Sequence, residues 1–306
     1  MSEIMVSICC LTYNHEKYIR KALEGFVNQK TNFKFEVLIH DDASTDGTAD
    51  IIREYEAKYP EIIKPIYQIE NQYSKKVRIS FTYQYPRVKG KYVAWCEGDD
   101  FWCSDTKLQE QVDIMEENPN VAFCVHKVRS INEAGEFIDE TFPAESMQIP
   151  AGVINSDEFI KMLMKRETSY PFQTSSYFVK GNVLQKMLKE KPPFAIRDMG
   201  IMWYFACCGS AYYIDKEMSC YRRNVPGSWS VRNKKISLEV YDKTIKAYMD
   251  FNKFTNKKYK KDMKEAVNAN IIGRIYNYRR IYSFKEFIVF SVFLLKKIFR
   301  RLARKV

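Results

Sequence analysis

Lys91-Tyr92-Val93-Ala94-Trp95-Cys96-Glu97-Gly98-Asp99-Asp100-Phe101-Trp102 is the stretch on which the reading of this chain turns. After Lys91 comes an apolar run, Tyr92–Cys96, of strand length, and Gly98 just beyond it permits a tight turn into two adjacent carboxylates. Neighbouring carboxylates repel each other unless a cation, basic groups or water compensates. A hard divalent ion held by one or two carboxylates and a diphosphate is the usual setting for magnesium or manganese. The same pair fits a plain turn, with Ser104 or Asp105 capping the next helix, so its surroundings must decide.

Upstream, strand and helix patterns alternate. Met5–Leu11 reads as a strand closed by Thr12-Tyr13-Asn14, and His15–Gln29 has helical spacing through Ile19, Leu23, Phe26 and Val27. Phe35–His40 is the next strand and ends in Asp41-Asp42-Ala43-Ser44-Thr45-Asp46-Gly47, itself a good helix start. Thr48–Lys58 follows as a helix, Ile62–Tyr67 as a strand, and Ser74–Val88 as a helix limited by Pro86. Such alternation predicts a mostly parallel sheet with helices on both faces, which binds ligands beyond the carboxyl ends of its strands. The polar clusters after the first, second and fourth strands therefore converge on one cleft.

Downstream the pattern loosens. Helices are expected at Lys107–Glu117, Asp157–Met164 and Met199–Cys208, strands at Val121–Val128 and Tyr212–Met218, and a hairpin around Asn132–Gly135. From about Lys234 the pattern is helical to the end.

A hydrophobic content of 46% supports a substantial core, and 21 Tyr with 20 Phe suit either an aromatic-rich core or stacking on flat ligands. The eight cysteines form no C-x-x-C pair; Cys9-Cys10 and Cys207-Cys208 are neighbours in apolar runs and read as small buried hydrophobes in a reducing compartment. Met1–Glu3 leads straight into a strand, so no signal peptide is expected, and no apolar run is long enough to span a bilayer. Of the net +11, the segment Ser283–Val306 carries seven basic residues against Glu286, a net +6. Phe284, Phe287, Ile288, Leu294, Leu295, Ile298, Phe299 and Leu302 fall largely at helical spacing there, with basic residues on much of the other face. We expect this tail to lie on an anionic membrane surface, placing the protein peripherally on the cytoplasmic face of the cell membrane; a helix packed on the protein body is the alternative. A nucleic-acid partner is not expected, because much of the basic excess lies in one terminal helix and the carboxylate-lined cleft would repel phosphate in the absence of a metal. A dinucleotide-dependent oxidoreductase needs a glycine-rich turn after the first strand, and Thr12-Tyr13-Asn14-His15 contains no glycine.

Taken together, Val6-Ser7-Ile8…Thr12-Tyr13-Asn14, Glu36–Thr48 and Glu97–Trp102 resemble glycosyltransferase family 2 in kind, order and spacing, and Lys107-Leu108-Gln109-Glu110-Gln111-Val112 continues the match. The likeness extends over roughly residues 4 to 227 and is strongest over the first 117. It implies a GT-A fold with C-terminal helices: a nucleotide-sugar-binding half over 1–105, an acceptor-binding half over 106–230, and a helical region over 231–306. It implies an inverting, metal-dependent transfer from a nucleoside diphosphate sugar, UDP-sugar favoured, to a saccharide or lipid-linked saccharide hydroxyl. Thr12, Tyr13 and Asn14 lie beside the nucleotide in this reading, with Tyr13 stacking on the base. Asp41 and Asp42 face base or ribose, Asp99 the ribose or sugar, and Asp100 ligates Mn2+ or Mg2+. Arg78 lies where relatives place residues against the donor. Asp198, in Arg197-Asp198-Met199-Gly200, matches the general base, although relatives often show Glu-Asp there. Arg222 and Arg223 lie in Tyr221–Ser228, which resembles a segment closing over the diphosphate, and Asn224 stands where a histidine is frequent. His15, His40 and His126 show no metal-ligand spacing and are read as structural or solvent-facing. A sugar-binding member without activity remains the alternative if Asp198 is not the base.

Overall fold

The computed structural model describes residues 3–164, 171–194, 198–225, 238–268 and Val292, with the side chains of 238–242 left out. The first half alternates as the sequence predicts: β1 (Ile4–Thr12), α1 (Ile19–Val27), β2 (Lys34–Asp41), α2 (Thr48–Lys58), β3 (Ile66–Tyr67) and β4 (Tyr92–Trp95). β3 is only the end of the expected Ile62–Tyr67 strand, although Ile63 still bridges Val37. The expected helix over Ser74–Val88 reduces to a wide turn at Ser80–Gln84 and a tight one at Tyr85–Arg87, with Pro86 inside the second.

The second half adds β5 (Phe101–Trp102), α3 (Lys107–Glu117), β6 (Val121–Ile131), β7 (Phe137–Phe142), β8 (Gly152–Ile154) and α4 (Ser156–Met164). Then come β9 (Phe178–Lys180), α5 (Gly181–Glu190), α6 (Asp198–Cys208), β10 (Ser210–Arg222) and α7 (Leu238–Phe254), with a further helix over 260–268. One sheet runs β3-β2-β1-β4-β9-β6-β10-β5, with β7 on β6 and β8 on β10. β3, β2, β1 and β4 are mutually parallel. β9 then enters antiparallel between β4 and β6, and β5, β7 and β8 are antiparallel additions. The expectation of a mostly parallel sheet therefore holds for the first half, and the second half is mixed.

The sheet separates two cores. Val6, Ile8 and Cys10 of β1 face α1, α2 and α3, while Cys9 faces the other way with Val93 and Trp95 toward α4, α5 and α6. The adjacent cysteines thus point to opposite faces, as neighbours on a strand must. Helix α6 buries Met202, Trp203, Tyr204, Phe205 and Ala206 in succession, so it is apolar all round and sits inside the molecule. Trp203 stacks on Phe251 of α7 with centroids 4.8 Å apart, and Phe205 meets Trp95 of β4 at 6.2 Å. This packing fixes the N-terminus of α6, where Asp198 lies, at the end of the sheet. Among the described residues no helix is long and apolar enough to cross a membrane. The tail Ser283–Val306, apart from Val292, lies outside the described residues.

Candidate active site

The register Val6↔Tyr92 to Cys9↔Trp95 carries β1 and β4 forward together, so Thr12 arrives beside Gly98. The Gly98 N–H donates to the Leu11 carbonyl at 2.8 Å. A Cβ on Gly98 would lie 2.7 Å from Thr12 Oγ1 and 3.0 Å from His15 Nδ1, so this position accepts only glycine without displacing the loop.

The loops after β1 and β2 are laced together by side chains. Asn14 Oδ1 accepts the Thr45 N–H at 2.8 Å, Ser44 Oγ accepts the Asn14 N–H at 2.9 Å, and Thr48 Oγ1 accepts the His15 N–H at 2.8 Å. Asn14 takes a left-handed conformation with φ 54, which asparagine tolerates better than most residues. Asp41 is buried and receives both the backbone N–H and the hydroxyl of Ser44. Burial pushes its carboxyl above the usual range, and the Ser44 hydrogen bonds oppose the shift. Asp42 is buried too, with Oδ1 accepting the Gln72 N–H at 2.7 Å and Oδ2 the Tyr73 N–H at 3.0 Å. It clasps the loop that leads to Arg78, whose guanidinium lies 3.6 Å from the Phe81 ring centroid.

Beyond β4, four acidic side chains gather. The Glu97 carboxyl is pushed up to about 8, by burial first and then by the Asp198 and Asp99 carboxylates. Asp100 is held well above the carboxylate range by burial, then by Asp99 and Glu97. Burial is the larger cause of both shifts and repulsion among the carboxylates adds to it; a divalent cation beside them would relieve that repulsion. Among the described residues no three His, Cys, Asp or Glu side chains converge as a ready-made cage. An ion held by one or two of these carboxylates would have to take its remaining ligands from a diphosphate and water.

Residues 7–186 match the family model described as glycosyl transferase family 2. The chain belongs to glycosyltransferase family 2. A Mycobacterium tuberculosis protein described as uncharacterized is 34% identical over 229 residues, covering 73% of this chain and 60% of its own length. This family 2 chain thus spans about three fifths of that relative. The Escherichia coli UDP-Glc:alpha-D-GlcNAc-diphosphoundecaprenol beta-1,3-glucosyltransferase WfaP is 33% identical over 112 residues, 37% of this chain and 41% of that protein. Among solved structures, S. aureus TarS 1-349 in complex with UDP-GlcNAc has the same fold at TM-score 0.66 and 16% identity, over 92% of this chain and 77% of the other. The mannosyltransferase from Pyrobaculum calidifontis in complex with GDP-Man and Mn2+ aligns at TM-score 0.50 and 14% identity, over 97% and 81%.

The family-derived residues are placed as follows. Asp100, expected to ligate the cation, is 4% exposed, and its Oδ1 accepts the Arg222 N–H at 2.8 Å. It faces the protein, and Asp99 is the more open of the pair, with an 18% exposed side chain. Arg222, expected against the donor, is buried with its guanidinium spent on main-chain carbonyls: Nε donates to Asp99 at 3.0 Å, Nη1 to Asn132 at 3.1 Å and to Glu133 at 2.9 Å. It ties the β6–β7 turn to the acidic pair. Arg223 pairs with Glu140 at 2.9 Å. Tyr13 is 38% exposed and available for stacking, and Thr12 is buried with Oγ1 lacking a hydrogen-bond partner. Asp198 is exposed at the first turn of α6, and the segment 195–197, with Arg197, lies outside the described residues.

Of the three histidines, His40 and His126 are wholly buried, and burial lowers the pKa of both, as a structural reading requires. His15 is different: its Nε2 lies 3.9 Å from Asp99 Oδ2. Sequence spacing could not show this, since His15 and Asp99 meet only through the pairing of β1 with β4.

Proposed function

We propose that this chain transfers a sugar from a nucleoside diphosphate sugar, with UDP-sugars favoured, to a hydroxyl acceptor with inversion at the anomeric carbon. The observation that carries the proposal is the placing of Glu97 and Asp99, at the end of β4, near Asp198 at the start of α6: burial first, and then the Asp198 and Asp99 carboxylates, raise the Glu97 carboxyl. Tyr13 offers a face to the base, and the loop clasped by Asp42 borders the same side. A divalent cation would supply neutralisation of the departing diphosphate and Lewis-acid polarisation. Asp99, half-buried at the cleft, would be its protein carboxylate, while Asp100 anchors β10 from below. Asp198 takes the acceptor proton as the acceptor oxygen attacks; its exposure leaves it open to an incoming hydroxyl. A lipid-linked saccharide acceptor at the cytoplasmic membrane face is supported by the basic, apolar tail and by the acceptor named for the similar E. coli enzyme.

The test is a panel of UDP-, GDP-, CDP- and dTDP-sugars with Mn2+, scored for metal-dependent stabilisation and then for nucleotide release with candidate acceptors. Asp198→Asn should bind donor normally and lose roughly a hundredfold or more in turnover. Near-normal turnover in that variant would move the base elsewhere.

A further inference from the structure

We propose that His15 is a ligand of the divalent cation, binding through Nε2 beside Asp99 Oδ2. The proposal rests on reading the cleft as a cation-assisted diphosphate site and names which side chains of this chain hold the ion. Two donor atoms about 2.1 Å from a shared ion lie at most about 4.2 Å apart, and His15 Nε2 and Asp99 Oδ2 are 3.9 Å apart. That spacing is too long for a hydrogen bond and right for two ligands of one ion. Both side chains are partly open, at 17% and 18%, so an ion and its remaining ligands can enter.

The imidazole is already held for this task. The His15 N–H is anchored on Thr48 Oγ1, its carbonyl accepts the N–H groups of Tyr18 and Ile19, and its ring stands edge-on to Tyr18 at 6.3 Å. Tyr18 in turn underlies the Arg222 guanidinium at 4.6 Å, and Arg222 holds the backbone of Asp99 and the carboxylate of Asp100. Ligand and carboxylate are thus braced through the same residues.

A metal-bound histidine donates its other ring N–H to a second partner, which fixes its tautomer. Among the described residues, His15 Nδ1 and Thr12 Oγ1 are both buried without a hydrogen-bond partner, and both border the space a Gly98 Cβ would fill. Thr12 Oγ1 stands across that small space as an acceptor, so Thr12 becomes a positioning residue for His15. An imidazole in the set favours Mn2+ over Mg2+.

Electron paramagnetic resonance on the full-length protein with Mn2+ and UDP tests this without reference to turnover. The chain has three histidines, and His40 and His126 are wholly buried, so a histidine nitrogen on the ion identifies His15. Wild-type protein should show a manganese–nitrogen coupling that changes when histidine alone is labelled with 15N. His15→Gln should lose the coupling and weaken Mn2+ binding at least about tenfold, and Thr12→Val should weaken it less while keeping the nitrogen. Mn2+ bound with UDP but without histidine coupling in the wild type overturns the His15 assignment and leaves the cation–diphosphate reading standing. Retention of the coupling in His15→Gln also overturns it. Absence of Mn2+ binding even with UDP overturns both. The wild-type spectrum decides the matter even where a variant folds poorly.

Discussion

At the scale of single residues, the cleft shows a division of labour inside one motif. Glu97-Gly98-Asp99-Asp100 looks like a block of equivalent carboxylates, yet Asp100 is buried under the Arg222 N–H while Asp99 stays open. Behind the motif lies Lys107, fully buried, donating to Gln111 at 2.6 Å and standing 4.1 Å from the centroid of Trp102. Burial pulls its pKa down to about 7. The unfolded chain then binds more protons than the folded one between pH 7 and the ordinary lysine range, so this residue makes stability rise with pH across that window. Urea titrations between pH 7 and 9 should show the rise, at most about 1.4 kcal/mol per pH unit, and Lys107→Met should remove that component. Identical pH slopes in the two proteins would mean that the buried amine keeps its proton. Lys107 was legible only as part of the family-like run after the acidic pair; its burial comes from the packing of α3 against Trp102 and β6, which no local pattern announces.

At the scale of elements, β1, α1, β2 and α2 were readable because each is long and regular, whereas β3 and the two short turns over Ser80–Arg87 were not. The exceptions were short. β5, β8 and β9 have two or three residues each, too few for any period, and with β7 they are the antiparallel strands that make the sheet mixed. The loop after β3 shows a different limit: its anchor is Asp42, thirty residues earlier, a carboxylate whose sequence pattern points to a helix start or to the base or ribose of a nucleotide. Asp42→Asn cannot accept two main-chain N–H groups as the carboxylate does, and should cost about 1–3 kcal/mol. Hydrogen exchange should speed up at Gln72 and Tyr73, and donor affinity should fall with it. Unchanged protection at those two amides would show that the clasp is not made in solution.

At the scale of the whole molecule, the aromatic surplus goes largely into the core: Phe159, Phe172, Phe194, Trp203, Phe205, Tyr248 and Phe251 fill the space around α4, α6 and α7. The charge surplus concentrates in the tail. Deleting Ser283–Val306 should release the protein from anionic liposomes at low salt, with each basic residue near the surface having contributed about 1 kcal/mol, and should leave the melting temperature of the catalytic part nearly unchanged. A sharp fall in melting temperature with little lipid binding lost would favour a packed helix. The cleft itself is assembled from both halves, since Asp99 belongs to β4's end, Asp198 to α6 and the Arg222 brace to β10. For that reason the most direct check is calorimetric titration of UDP into wild-type and Asp99→Asn protein, with and without Mn2+. The account predicts binding that strengthens at least about tenfold with Mn2+ in the wild type and loses that gain in Asp99→Asn. Equal UDP affinity with and without Mn2+, or a full Mn2+ gain in the variant, would contradict it.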